Sequence, residues 1–565
     1  MDSTSAIKFA SFCATRTYIS LILSLSISSV ALIFNFLVDD FVIKSIKGQI
    51  NLASNESEYY NAWLKPEADM KLNAYIFNVT NSESFLSDCE QLKLIEMGPY
   101  SFKIKSGRKL ANSSQLEDNP TLTYLDFKKY TFDYESSASD LTDNFTTIDI
   151  PTLVINDYLS NIIVGDDITI DVVKAYLYLL DDKVFKPITA EQMLFKGKRV
   201  DLLGQLARAW RLYYSGRPFP EVKGLKDNTF GLFNTFNVSY MGPYQIYSSG
   251  PLIGNIVSWR NSQVMNIWYG DECNHVKGTD GTFFPPFVTR GQVLTVFVPP
   301  LCRKFIFVYE KDVDLQGINL YRFKLSKDTF NSGKTTPENQ CYCNETFFNH
   351  QNSSSDDFNP DCSVDGVLDL HSCMHEAPVW LSQPHFINSP LNEAQLHIEG
   401  LSADPEAHES FLDIEPYLGV PLRGRVRFQI NVQLRKQTFF TGKDEIKCAR
   451  LLPLAWFEYS GTVKDEDVEL VIQSVVNTIS RVDQSKPIYA LIAFAFTVIS
   501  LTLGFAKYKQ MISSHPINKV NNNKDKPEII SLDSTIKQQT SKKHHHKPSI
   551  SKDNQHLTAK KMIKK

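Results

Sequence analysis

Cys341, Cys343, Cys362, His371, Cys373 and His375 crowd soft sulfur and nitrogen donors into one short stretch, and that chemistry has two outlets. Reduced, such a set can hold a zinc-like ion; oxidised, it forms disulfides. Cys89, Cys273, Cys302 and Cys448 bring the cysteines of the central region to eight, an even number that suits pairing, while Cys13 stands apart near the N-terminus. Other reactive patterns are missing: the chain has no Gly-x-Ser-x-Gly elbow, no His-Glu-x-x-His zinc helix and no phosphate loop. No enzyme and no cofactor is therefore expected. His544, His545 and His546 sit in a Lys-rich run that reads as a solvated low-complexity tract, so no metal is expected there either.

Which outlet the thiols take depends on the compartment. Residues 18–38 (YISLILSLSISSVALIFNFLV) and 487–506 (PIYALIAFAFTVISLTLGFA) carry no charge, and as helices each reaches about 30 Å, enough to cross a bilayer. A cleaved signal peptide is the alternative for the first run, with Lys8 and Arg16 as its basic flank. The run is too long for that, and Val38-Asp39-Asp40 offers no small-residue cleavage site, so an uncleaved anchor is favoured. All seven Asn-x-Ser/Thr sequons (Asn55, Asn78, Asn112, Asn144, Asn237, Asn344, Asn352) fall between the runs, as do eight of the nine cysteines. Residues 39–486 thus read as a glycosylated ectodomain in an oxidising compartment, which favours disulfides over metal.

The tail, 507–565, has fourteen Lys against four Asp/Glu. The positive-inside rule places it in the cytoplasm, and two crossings put residues 1–17 there too. Its composition predicts a disordered segment. Cys13, five residues before the first span, is a candidate palmitoylation site, an unmodified thiol being the alternative. The net charge of -4 conceals a basic tail against an acidic ectodomain, so no nucleic-acid partner is expected.

The ectodomain must supply the scaffold. In GRVRFQINVQLRK, Val426, Phe428, Ile430, Val432 and Leu434 share one face while Arg425, Arg427, Gln429, Asn431, Gln433 and Arg435 take the other, the mark of a half-buried strand. QVLTVFV (292–298), KFIFVYE (304–310) and TLTYLDF (121–127) add strands, and a largely antiparallel β core follows. Residues 151–213 interrupt it with helices: Thr189 to Gln192 is a capping-box pattern, and DLLGQLARAWRLYY has helical spacing. Val468, Val471, Ile472, Val475, Ile479 and Val482 predict a last helix leading into the second span. No repeat or Gly/Ser linker divides 39–486, so one large domain is the default.

From Cys273 the chain reads CNHVKGTDGTFFPPF, followed by Leu301-Cys302-Arg303. Gly278-Thr279-Asp280-Gly281 is turn chemistry, and Pro285-Pro286 stiffens the exit. This combination resembles the class B scavenger receptor family, whose members include fatty acid translocase, high-density lipoprotein receptors and a lysosomal integral membrane protein. The resemblance extends through Phe77 to Asn81, Glu96 to Tyr100, Gly366 to Asp369, Pro384-His385-Phe386, His408 to Pro416, Gln429 to Asn431 and Pro453 to Phe457.

The resemblance implies a mainly β fold with helices: an antiparallel β-barrel-like ectodomain, an apical helical bundle, and an internal lipid tunnel above two transmembrane helices. It implies the disulfides Cys273–Cys341, Cys302–Cys373 and Cys343–Cys362, leaving Cys89 and Cys448 as a fourth bridge or as buried thiols. It also implies a receptor that binds lipoproteins, fatty acids or other lipids, with a trafficking or adhesion receptor binding a protein at its apex as the alternative. The cations Lys174, Lys183, Lys186, Lys196, Lys198 and Arg199 flank the expected apical helix, and Lys183 and Lys186 hold the place where family members contact ligand. The chain departs from the family at Phe195-Lys196-Gly197, where an aromatic residue followed by Gly-Tyr is usual. The plasma membrane is the expected location. The lysosomal membrane is the alternative, because Asp525 to Ile529-Ile530 approximates an acidic dileucine sorting signal. The ligand and the oligomeric state stay open.

Overall fold

The computed structural model describes residues 3–53, 58–66, 68–116, 119–155, 183–213, 228–234, 239–343, 363–375, 377–435, 446–447, 449–466 and 477–514, with Leu179 and Glu469. The chain forms two compact units, one of residues 1–25 with 497–565 and one of residues 26–496.

Both apolar runs are helices. Helix α1 spans Ser3–Gln49, and its part long and apolar enough to cross a membrane is Tyr18–Gly48. The last helix, Asn477–Ser514, has its apolar part at Ile479–Gln510 and passes through Pro487 without ending. Each helix therefore outlasts the uncharged run within it. In the smaller unit the buried hydroxyls of Ser24 and Ser500 bond one another, and Ser24 also donates to the Leu21 carbonyl. In the larger unit Ser28 donates to the Ala493 carbonyl at 3.0 Å and the Asn35 amide to the Lys486 carbonyl at 2.8 Å. Small polar side chains of this kind let helix backbones approach closely where lipid tails give apolar contact no advantage.

The larger unit is built on one 14-stranded sheet. Its strands are β1 (Asp69–Val79), β2 (Leu92–Leu116), β3 (Asn119–Phe132), β4 (Ser239–Tyr247), β5 (Ile256–Trp259), β6 (Leu294–Val298), β7 (Arg303–Leu315), β8 (Ile318–Leu325), β9 (Val367–Asp369), β10 (Val379–Ser382), β11 (Ile398–Glu399), β12 (Phe411–Glu415), β13 (Val420–Leu434) and β14 (Arg450–Thr462). They pair in the order β6-β7-β8-β12-β13-β14-β1-β2-β3-β4-β5, with β10 beside β13, β9 beside β10, and β11 beside β2. Every pairing is antiparallel except β11 with β2.

A closed, barrel-like sheet, expected above, is not what forms. The end strands β5 and β6 do not pair with one another, and the sheet stays open. The segment between them is Gly278-Thr279, where the Gly278 carbonyl accepts from the Ile256 amide and Thr279 makes one isolated bridge to Val296. Gly278 has φ +103 and its Cβ position lies 2.5 Å from the Thr295 carbonyl oxygen. Gly278 is a bend and Thr279 makes only an isolated bridge, so no continuous closing ladder runs between the end strands. The architecture is a mixed α/β fold with two candidate membrane-spanning helices.

The helical interruption is present in part. Residues 150–155 are helical, Asp201–Tyr213 forms a 13-residue helix, and Gln192–Lys196 is a turn of π-helix. The Thr189 hydroxyl accepts from the Gln192 amide at 3.3 Å while the Gln192 side chain accepts from the Thr189 amide at 3.2 Å, both halves of a capping box. Most of 156–182, Lys174 included, lies outside the described residues, as does the tail beyond Ser514, whereas residues 507–514 of the tail continue the last helix.

Strand β13 differs from a half-buried strand. Its polar face is the more deeply buried: Arg427, Gln429, Asn431 and Gln433 are at most 2% exposed. Arg427 Nε donates to Glu458 Oε2 at 2.7 Å, Asn431 donates to Ser382 at 3.0 Å, and the Gln429 side chain accepts from the His385 amide at 2.8 Å. Each buried polar group thus has a partner, without which its burial would be strongly unfavourable.

Beside this ladder, the rings of His385 and His408 stack at 4.3 Å, and His385 Nε2 meets Glu96 Oε2 at 2.8 Å. The indole of Trp456 donates to the same oxygen, and the backbone amides of Ser402 and Asp404 donate to Nδ1 of His385 and His408. Burial raises the Glu96 carboxyl, but the hydrogen bonds from His385 and Trp456 outweigh it and hold the group below its usual range. Burial, reinforced by His385, drives His408 down to about 4. The unfolded chain then binds more protons than the folded one between that value and the free-histidine range, so this contribution is whole above about pH 6.5 and is lost as pH falls towards 4. The melting temperature of the purified protein should drop across that window, and His408→Gln should flatten the drop; an unchanged acid profile in the variant would refute the assignment.

Candidate functional site

The apolar face of β13 does not close onto a solid core. Val426, Phe428 and Ile430 line a cavity of about 2200 Å³ inside the larger unit. Its wall includes Gly48, Ile50 and Asn51 at and beyond the end of α1, Ile150, Pro151 and Val154 at the start of the helical interruption, and Phe230–Phe233 after it. Two clusters of buried side chains flank it, and Phe428 and Ile430 pack against both. A space of this size exceeds an ordinary small-molecule pocket, and its wall is mostly apolar.

A polar group interrupts that wall. Helix α2 (Glu58–Leu64) presents Tyr59 and Trp63, four residues apart and therefore on one face. The Trp63 ring meets Tyr124 edge-on at 5.1 Å, and Arg108 from β2 lies over it at 4.9 Å. Arg108 Nη2 pairs with Asp280 Oδ2 at 3.2 Å, its Nη1 donates to the Trp63 carbonyl, and the Tyr124 hydroxyl donates to the same Asp280 oxygen at 2.7 Å. The other Asp280 oxygen accepts from the Thr282 amide at 2.9 Å. One carboxylate thus makes the turn that Gly278-Thr279-Asp280-Gly281 announces and also neutralises a buried guanidinium. Burial pushes Asp280 up, but Arg108 with the bonds from Thr282 and Tyr124 wins and keeps it ionised. Burial, with Asp280 and Glu415 near, pushes the Tyr59 hydroxyl far up, so it remains a donor. Farther along β3, Asp126 and Lys128 line the cavity as a second pair at 3.5 Å.

Sequence reasoning passed over these residues. The parity begun by Leu122 and Tyr124 runs on through Asp126, Lys128 and Tyr130, so charged side chains continue an inward-facing row; that parity was the available signal. Arg108 had none, since it sits in a Lys/Arg-rich stretch that reads as solvent-facing.

The expected ligand cations lie elsewhere. Lys183 is exposed, whereas Lys186 bonds Asp149 Oδ2 and Thr152 Oγ1, each at 2.9 Å; neither lines the cavity. Lys196 pairs with Glu191, Arg199 with Asp201, and Lys198 donates to the Pro187 carbonyl. Disulfides join Cys273 to Cys341 and Cys302 to Cys373, with Cα separations of 5.7 and 6.0 Å. Cys89 and Cys343 are also disulfide-bonded, while Cys362 and Cys448 lie outside the described residues. His371 Nδ1 lies 3.3 Å from the Ala377 carbonyl, and no metal-holding group of three His, Cys, Asp or Glu occurs among the described residues.

Asn144 is exposed at a strand start, and Asn78 turns its Oδ1 to the Thr146 amide at 2.8 Å. Asn112 lies in β2 with its side chain undescribed. Asn55, Asn237, Asn344 and Asn352 lie outside the described residues, as do Asp525, Ile529 and Ile530. Cys13 lies in α1, its side chain also undescribed.

Residues 20–504 match the model of the CD36 family. Lysosome membrane protein 2 of Mus musculus is 29% identical over 471 residues, which cover 82% of this chain and 90% of the relative. Sensory neuron membrane protein 2 of Manduca sexta is 26% identical over 476 residues, 81% and 88% of the two chains. Scavenger receptor class B member 1 of Bos taurus is 25% identical over 436 residues, 76% of each.

The Arg108–Asp280 pair gives a direct test of the wall. Removing one partner leaves the other charge buried and unpaired, a loss of about 3–5 kcal/mol. Arg108→Met and Asp280→Asn should each lower the melting temperature by several degrees, and the double variant should recover part of the loss. Additive losses would show that the two groups are not coupled.

Proposed function

The chain belongs to the CD36 family, and on that premise we propose that it is a membrane receptor that takes up lipids or lipoprotein-borne lipids and passes them to the bilayer through its cavity. Receptors of this family are non-catalytic, so the site is read as one of binding and passage. The observation that carries the reading is the cavity itself: about 2200 Å³ with a mostly apolar wall that begins where α1 ends. Each methylene exposed to water costs about 0.8 kcal/mol, or roughly 11 kcal/mol for a fourteen-methylene chain, so a sheltered path lowers a large barrier with no covalent step. The relative named as a scavenger receptor supports the ligand class.

Lys183, exposed just ahead of the strand Phe185–Thr189, is the proposed capture cation for an acyl carboxylate or an anionic particle surface; Lys186 is a weaker candidate because Asp149 already holds it. The plasma membrane is the proposed residence, with both termini cytoplasmic. Relatives named for the lysosome membrane favour the second reading, a lysosomal receptor.

Cells expressing the chain should take up fluorescent fatty acid or labelled lipoprotein above untransfected cells. Val426→Trp, which adds bulk to the cavity wall, should cut that uptake severalfold at equal surface abundance, and Lys183→Ala should weaken capture by less. Uptake at the level of untransfected cells would sink the reading.

A further inference from the structure

The outward face of the sheet carries a band of cations that the cavity does not use. Along β1, β2 and β3 the even-numbered residues Met70, Ser106, Tyr124, Asp126 and Lys128 line the cavity, so Lys71, Lys103, Lys105 and Lys129 project from the opposite face. Register brings them together. Arg425 of β13 and Lys71 of β1 both pair with Ser460 of β14; Lys71 also pairs with Lys103, and Lys103 with Thr131. Two residues along, Lys105 pairs with Lys129. With strands about 4.8 Å apart, the five cations span a band about 20 Å long and only two rows deep. Arg425, Lys103, Lys105 and Lys129 are exposed.

Their charge is poorly balanced on the spot. Asp133, 3% exposed, is shared between Lys71 at 3.4 Å and Lys103 at 3.2 Å. Glu458, on the same face of β14, is taken by Arg427. Among the described residues no ion pair engages Lys105, Lys129 or Arg425, although Asp69 at the start of β1 and Glu135 in the turn after Asp133 are exposed nearby. Like charges directly opposed across a ladder weaken it, and here two such pairs, Lys71–Lys103 and Lys105–Lys129, stand side by side. The rest of the ectodomain is acidic, so an anion is repelled elsewhere and drawn to this band.

The shape of the band narrows the partner. Ser460 and Thr131 complete its upper row, and the aromatic pair Phe127 and Tyr240 lies beyond it, so it lacks the apolar centre of a protein interface. A line of cations across five strands fits a linear chain with repeated negative charge better than the plane of an anionic bilayer. Outside the cell, such chains are sulfated polysaccharides.

We propose that Lys71, Lys103, Lys105, Lys129 and Arg425 form a docking band for a sulfated polysaccharide, on the face of the sheet turned away from the cavity and independent of what the cavity carries.

The test measures binding of a fluorescent heparin dodecasaccharide to the detergent-purified full-length chain across a range of salt concentrations. Lys103→Ser, Lys105→Ser and Lys129→Ser combined should lower affinity about tenfold or more at physiological salt and reduce the slope of log affinity against log salt by about two. The basic tail also attracts polyanions, so Lys542→Ser, Lys543→Ser and Lys547→Ser combined, which remove equal charge, serve as reference and should cost less. Lys129→Glu separates binding from folding: it makes Lys105–Lys129 an opposite-charge pair, so the melting temperature should hold or rise while affinity falls. Lys129→Arg should keep the affinity. The proposal is overturned by absent dodecasaccharide binding, by a sheet variant that loses no more than the tail variant, or by unchanged affinity in Lys129→Glu. Equal binding of a desulfated dodecasaccharide would overturn it too, as would phosphatidylserine vesicles that bind through these lysines where the dodecasaccharide does not.

Discussion

A strand whose apolar side chains line an open space must bury its polar side chains on the other face, and β13 lives under that constraint. Val426, Phe428 and Ile430 look into the cavity, so Arg427, Gln429, Asn431 and Gln433 point into the body of the fold, where water does not reach. A chain packed around a solid core would place them at the surface. Here Glu458, Ser382 and the His385 amide supply the partners, each from a different element. The cavity is thus kept open by polar pairing behind its wall as much as by the apolar groups that face it. The Ser410 hydroxyl tightens the same face by accepting from the Arg427 amide and donating to the Arg427 carbonyl.

Legibility in the sequence followed the range of the interaction. Alternation in GRVRFQINVQLRK gives the strand, because period two is local. It cannot say that both faces are enclosed, since that depends on how β10 and β14, separate elements before and after it in the chain, pair with it. The capping box at Thr189 and Gln192 was readable for the same reason of locality. Gly278-Thr279-Asp280-Gly281 was readable as a turn, but its second task was not: Arg108 lies 172 positions from Asp280. Barrel closure failed on a related point. The strand at β6 was recognisable and β5 was not, and whether two ends of a long sheet meet depends on the segment between them, which bends at Gly278.

The aromatic residues around the cavity have a shared logic. Trp63, Tyr124 and Tyr244 pack ring against ring, while Arg108 lies over two of those rings, 4.9 Å from Trp63 and 5.5 Å from Tyr124. Rings of this kind are large, stiff and apolar over most of their area but carry a polar edge, so they can form a greasy wall and hold donors at fixed places in it. Aliphatic side chains would shelter a lipid equally well but could not position its head.

The pairing of the two long helices has a topological side. Ser24 and Ser500, 476 positions apart, are hydrogen-bonded, so the chain between them is a closed loop for as long as the helices stay together in the bilayer. A covalent cross-link around a loop of that size removes on the order of 6 kcal/mol of entropy from the unfolded chain. Paired membrane helices impose the same kind of restriction without a bond, and it disappears when either helix is cut away. A soluble ectodomain released from both helices keeps its sheet but loses the helix bonds of Ser28 and Asn35, and its unfolded state has far more freedom, which makes the bilayer a silent contributor to the stability of that sheet.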